Sequence, residues 1–182
     1  MSAAPTDGLR ILAARPEHLP ALEALIFDHG ANIWNYLPVD GIRAHLDDVV
    51  QGAYHGVLAL QDGQILGAVT FGINTDFDRY LSPPLRGRPQ GYVSEAVVRR
   101  EWTGRGLGTR LLREALAVLS NMGVQFVFID RHADNQASAG MMRRAGFVEI
   151  ETYADPGRRP HGSGRTTVCR FSCADETGPP GP

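Results

Sequence analysis

Val93-Ser94-Glu95-Ala96-Val97-Val98-Arg99-Arg100-Glu101-Trp102-Thr103-Gly104-Arg105-Gly106-Leu107-Gly108-Thr109-Arg110-Leu111-Leu112 reads as a half-buried strand, a turn with three alternate glycines, and an amphipathic helix. Glycines in such a turn let the backbone approach a ligand closely and take positive φ without a Cβ clash. The helix behind the turn offers unpaired N–H groups and the positive end of its dipole, which together make an anion site. Arg105 and Arg110 add full charges at that end. The ligand is therefore expected to carry phosphate, with Glu95 on the strand beside it.

Working outward, the same pattern logic orders the rest of the chain. Residues 9–14 read as a strand, and a helix opens at Arg15-Pro16-Glu17 and runs to about His29. A polar-aromatic loop with Trp34 and Tyr36 precedes a second helix near Asp40. Segments 54–61 and 64–73 form a hairpin across Asp62-Gly63. The stretch 74–91 is long and rich in Pro, Gly and Arg, as functional or mobile loops are. After the strand at about 92–100 and the helix at about 106–122, Val124–Asp130 is a nearly continuous apolar strand, the pattern of one covered on both faces. A helix at about 135–145 and strands at about 147–154 and 166–173 close the order βααβββαβαββ, which predicts a mixed sheet flanked by helices. One domain over 9–173 is expected, with disordered ends at 1–8 and 174–182.

Composition narrows the function classes. The 182 residues suit one domain, and 43% hydrophobic with 21% charged residues is ordinary for a soluble protein. A net charge of -2 argues against general binding to nucleic acid or anionic membrane. No apolar run approaches the ~20 residues of a membrane span, and the first residues lack the features of a signal peptide, so a cytoplasmic location is expected. Cys169 and Cys173, four apart on a strand, would sit about 13 Å apart. That is too far for a local disulfide, and no zinc spacing surrounds them. They read as packing residues, and no metal is expected.

The glycine turn imitates the dinucleotide fingerprint, with Asp130 at the end of the next strand. Its spacing is GxGxG rather than GxGxxG, and only one βαβ unit is present, in mid-chain. No Lys-Ser/Thr pair follows the glycines, which removes a Walker loop. The segment instead resembles motif A of the GNAT superfamily of acyl-CoA N-acyltransferases, Gln/Arg-x-x-Gly-x-Gly/Ala. Thr103 stands where Gln or Arg is usual. Downstream, Asn135-Gln136-Ala137-Ser138-Ala139-Gly140-Met141-Met142-Arg143-Arg144-Ala145-Gly146-Phe147 resembles motif B of the same family.

This resemblance implies an α/β (α+β) fold: a mixed, mostly antiparallel twisted sheet of about six to seven strands flanked by about four helices. It also implies acetyl-CoA as cosubstrate and a small-molecule primary amine as acceptor, with homodimers common in the family. Thr103, Gly104, Arg105, Gly106, Leu107, Gly108 and Thr109 would hold the pyrophosphate of coenzyme A. Ala96, Val97 and Val98 would bind its pantetheine arm through the backbone, and Asn135 would contact the same arm.

Acetyl transfer needs a neutral amine, an oxyanion donor and a proton for the leaving thiolate. Glu95 is the candidate base. Period-2 alternation puts it on the face of Val93 and Val97, opposite Ser94, Ala96 and Val98, where apolar neighbours would raise its pKa. The family's usual proton donor, a tyrosine four residues before the glycine of Gly-Phe, is Met142 here. Tyr153, Ser138 or water would have to replace it. On the acceptor side the candidates are Trp34 and Tyr36, with Arg158 and Arg159 in the Arg-rich link 155–165 suited to an anionic acceptor. A non-catalytic acyl-CoA sensor and a protein N-terminal or lysine acetyltransferase are the alternatives.

Overall fold

The computed structural model describes residues 8–173. The expected disordered ends lie outside that range except for Gly8, which sits in a turn. Seven strands form one sheet: β1 Arg10–Ala13, β2 Tyr54–Gln61, β3 Gln64–Asn74, β4 Gln90–Val98, β5 Phe126–His132, β6 Val148–Ala154 and β7 Arg165–Ser172. Their spatial order is β1-β2-β3-β4-β5-β7-β6. Every neighbouring pair is antiparallel except β4 and β5. Four α-helices flank the sheet: α1 Leu19–Leu25, α2 Val39–Val50, α3 Leu107–Asn121 and α4 Gln136–Ala145.

Alternation along the strands feeds two apolar layers. Val57 and Ala59 join one cluster with α3 and α4, while Leu58 between them joins α1 and α2 on the other face. The stripe Leu107, Leu111, Leu112, Ala115, Leu116 and Leu119 is buried, as its 3.6-residue period requires. A third, smaller cluster gathers Leu81, Phe128 and Val168 under the connection between β3 and β4. That connection holds two short 3-10 turns, at Asp78–Tyr80 and Pro83–Leu85. No helix among the described residues is long and apolar enough to cross a membrane.

Four local expectations change. The first helix gives way to a wide π turn over Ile26–Gly30. Strand β5 ends two residues later than expected, so Arg131 and His132 belong to it. Cys173 lies just past β7, and both cysteines are free thiols. Most consequentially, β4 is not regular: Thr70 pairs with Glu95 and Phe71 with Val93, which leaves Ser94 as the extra residue of a β-bulge. Val93 therefore packs with α3, together with Ala96 and Val98, whereas Val97 packs with α1 and α2. Glu95 shares a face with Tyr92 and Val97, not with Val93.

Candidate active site

Strands β4 and β5 hydrogen-bond only over Gly91–Val93 and Val127–Ile129. Beyond Val93 they diverge, and alternate backbone groups of Ala96, Val97 and Val98 point away from β3 with no strand opposite. The gap is the floor of a cleft of about 430 Å³. Its far wall is the start of α3 and its near wall is α4, through Asn135, Ser138 and Met141.

The glycine turn ends this cleft. Gly104 and Gly106 take φ of 79° and 78°, and a Cβ on either would meet nothing within 4 Å, so the turn is open to solvent on that side. Gly106 is the N-cap of α3 and has no side chain to cap it. The first-turn N–H groups of Leu107, Gly108 and Thr109 have no partner within the helix and line the cleft. Gly108 lies close to α4: a Cβ there would stand 2.5 Å from the flexible Met141 Sδ. A row of open donors at a helix N-terminus, continuous with a strand's open backbone, fits a pyrophosphate joined to an extended amide arm.

The arginines divide unexpectedly. Arg105 stacks on Trp102, 4.9 Å from the ring centre, and does not line the cleft. Arg110 is exposed and also lies outside it. Arg100 and Arg144 do line it. Neither was legible as a ligand: each is one of a pair of consecutive arginines, and only the fold shows which faces inward. Asn135 lines the cleft and caps α4, its Oδ1 accepting the Ser138 N–H at 3.1 Å.

Glu95 opens not on this cleft but on a chamber of about 100 Å³ next to it. The two share Asn35, Ala96, Ser138 and Met141. Burial pushes the Glu95 carboxyl up to about 7, Asp130 adds to the rise, and Arg159 and Arg158 oppose it. Among the described residues no hydrogen bond reaches that carboxyl; only its backbone N–H is held, by Thr70 Oγ1 at 3.2 Å. Opposite it, Asp130 is saturated. Its carboxylate accepts from Arg159 at 2.6 Å, from Arg158 at 3.2 Å and from the Tyr92 hydroxyl at 3.1 Å. Burial, reinforced by Asp130, keeps the Tyr92 hydroxyl protonated.

An acetyltransferase (GNAT) family profile matches residues 21–147. The chain belongs to the GNAT family. It is 30% identical over 137 residues to the L-methionine sulfoximine/L-methionine sulfone acetyltransferase of Pseudomonas aeruginosa, covering 71% of this chain and 74% of that one. It is 31% identical over 94 residues to N-alpha-acetyltransferase 30 of Schizosaccharomyces pombe, covering 52% of this chain and 57% of that relative, little more than half its length. Among solved structures, ribosomal-protein-alanine N-acetyltransferase from Brucella melitensis superposes with TM-score 0.71 at 23% identity, over 90% of this chain and 99% of that one. The yncA protein of Salmonella typhimurium, solved with its cofactor acetyl-CoA, gives 0.70 at 20% identity over 94% and 98%. At these identities the superpositions establish the fold.

Within this GNAT frame the remaining predicted residues separate. Tyr36 lines the Glu95 chamber while remaining 57% exposed. Trp34 lines neither cavity; its ring packs on the buried His132, centroids 4.7 Å apart. Arg158 and Arg159 both line the chamber. Met142 is buried in the core at 4% exposure. Of the two residues considered in its place as proton donor, Ser138 lines both cavities, whereas Tyr153 lines neither.

Proposed function

We propose that the protein is an acyl-CoA-dependent N-acetyltransferase that acetylates a primary amine by direct attack, with Glu95 as general base. One observation carries this: a carboxyl raised to about 7, free of hydrogen bonds, faces a chamber that shares four residues with the donor cleft. An amine of pKa near 10 arrives protonated, so a base poised near neutrality is what the reaction requires. Acetyl-CoA supplies an activated acyl carbon on a thiol leaving group. The open backbone and first-turn N–H groups described above support its binding by Ala96, Val97, Val98, Thr103, Gly104, Gly106, Leu107, Gly108, Thr109 and Asn135. Arg100 and Arg144 add charge for its phosphates, and Arg105, turned onto Trp102, contributes from outside the cleft wall. An unpaired N–H of the 96–98 segment serves as the oxyanion donor.

The acceptor enters from the Glu95 side, past Tyr36, Arg158 and Arg159. A small molecule is the favoured class, because the chamber is narrow and because the more extensively matched relative acts on amino-acid derivatives. The buried Met142, which cannot donate a proton, favours the second reading, a binder of acyl-CoA without turnover. Thiol release from acetyl-CoA across a panel of amines and peptides tests both. Turnover that falls about a hundredfold or more in Glu95→Gln supports the enzyme. Tight coenzyme A binding with no turnover on any acceptor supports the sensor. Selective turnover of peptides would make it a protein acetyltransferase.

A further inference from the structure

We infer that the acceptor is an α-amino carboxylate with an aromatic side chain, its ring held in a cavity beyond Glu95 and its carboxylate on Arg158. The inference rests on the acetyltransferase reading above and names its substrate class.

Beyond the Glu95 chamber lies a cavity of about 400 Å³, and the two meet at Tyr92, Asp130 and Arg158. Phe77, Tyr80, Tyr92 and Tyr153 give it aromatic walls. The Phe77 ring is already stacked on Phe128, centroids 4.5 Å apart at 4°, and leans on Tyr92 at 5.2 Å. Arg79 lies over the Tyr80 and Tyr153 rings, 4.5 and 5.1 Å from their centroids, so an entering ring meets aromatic walls and one guanidinium.

The wall is built, not floppy. Buried Gln90 accepts the Phe77 N–H at 3.2 Å and donates to Asp78 at 2.7 Å. Arg79 and the Tyr80 hydroxyl both bond Glu151, at 2.6 and 2.5 Å, tying the loop to β6. A pocket fixed before binding loses less entropy when the ligand arrives.

Arg158 stands at the junction of the two cavities, its side chain 48% exposed. Two guanidinium groups, Arg158 and Arg159, share the single Asp130 carboxylate. Asp155 approaches Arg158 only to 3.7 Å, and its carboxylate accepts from the Thr166 hydroxyl at 2.7 Å. Arg131, the third arginine on the chamber, donates to Glu149 and to the His132 and Ala133 carbonyls, which leaves its buried Nε as its one unpartnered donor. Both terminal nitrogens of Arg158 reach Asp130, at 3.5 and 3.2 Å, while its Nε makes no hydrogen bond among the described residues; with two guanidinium charges on one carboxylate, a second carboxylate is the group that balances the junction.

An amine at Glu95, a carboxylate at the junction and a ring beyond it are the three substituents of one α-carbon. In the reaction the amine nitrogen forms the amide bond as the thioester C–S bond breaks. Glu95 takes one ammonium proton and later returns it to solvent; the second N–H proton leaves with the thiolate as thiol.

The test compares phenylalanine, tryptophan, alanine, phenethylamine and phenylalaninamide as acceptors. It adds calorimetric titration of each into the protein with coenzyme A bound. Phenylalanine or tryptophan should exceed alanine in kcat/KM by about tenfold or more, and phenethylamine and phenylalaninamide should fall by about tenfold. Tyr153→Ala should collapse the phenylalanine-to-alanine ratio and Tyr153→Phe should restore it. Arg158→Gln should collapse the phenylalanine-to-phenethylamine ratio. Phenylalanine binding that depends on these residues supports the inference even without turnover. Equal rates on all five, or preference for alanine, overturns it and leaves the acetyltransferase reading standing. No binding and no turnover of any of the five overturns it too. The broader reading falls only if the wide amine and peptide panel fails as well.

Discussion

Thr70 holds Glu95 by its backbone: the Thr70 hydroxyl accepts the Glu95 N–H at 3.2 Å and lies 2.8 Å from His45 Nε2. Burial lowers the His45 pKa, and the hydrogen bond between its ring and the Thr70 hydroxyl completes a chain from α2 through β3 to β4. Thr70 is fully buried, and the bulge beside it disturbs the regular ladder at Glu95. Thr70→Val should cost about 1–3 kcal/mol, because it orphans a buried N–H and a ring nitrogen together. If the chain positions Glu95, kcat should fall more than KM rises, and Thr70→Ser should recover much of both. Denaturant unfolding and steady-state kinetics check this pair.

The pH–rate profile should report Glu95 directly. The proposed base would work only when ionised, so kcat/KM should climb with pH and level off above about 7. Glu95→Gln should flatten that limb. An unchanged limb in the variant would assign it to another group.

The same carboxyl has a stability signature of known sign. Its folded pKa of about 7 lies above its ordinary 4.5, so the folded state holds the proton more tightly. Stability from this group is full below 4.5 and is lost as pH rises through 7. Glu95→Gln removes the loss. The difference in unfolding free energy, variant minus wild type, should therefore grow between pH 5 and pH 8 by up to about 3 kcal/mol.

Coenzyme A should raise the melting temperature whereas NAD should not, since the turn's spacing and its cleft favour the former. At a hundred times Kd the gain is about 2.7 kcal/mol. For a chain of this length that is roughly 5–10 °C. Equal protection by NAD would reverse the assignment of the turn.

Gly108→Ala sets two effects against each other. Alanine improves helix propensity by about 1 kcal/mol, yet its Cβ would stand 2.5 Å from Met141 Sδ. The flexible methionine borders both the cleft and the Glu95 chamber and yields into that space. Global stability should change little, and coenzyme A affinity should drop by about tenfold, measured by calorimetry.

The glycine turn and the α4 cap are legible because their signal is local. Thr103 through Thr109 and Asn135 through Phe147 are contiguous runs in which spacing alone fixes the turn and the cap. The order of elements followed from periodicity for the same reason. The bulge at Ser94 is not legible: Val93–Val98 carries no glycine or proline to mark the extra residue, so a strict period of two puts Val93 on the wrong face. The aromatic cavity was invisible because Phe77, Tyr80, Tyr92 and Tyr153 come from three separate segments that only tertiary packing joins. Trp34 reads as a binding residue on type and loop position, but it packs against the His132 ring and lines neither the cleft nor the Glu95 chamber.

The parting of β4 from β5 has a consequence for how this protein can change over generations. In the proposed binding mode, a cosubstrate gripped through main-chain groups at 96–98 makes few demands on the side chains there, provided the strand stays extended. Those positions can drift to suit the packing of α1, α2 and α3 while the donor is retained. The proposed acceptor side is built from side chains on scattered segments, each replaceable singly. One half of the molecule is thereby held by geometry and the other is left free to be retuned, so new acceptors can be acquired without rebuilding the donor grip.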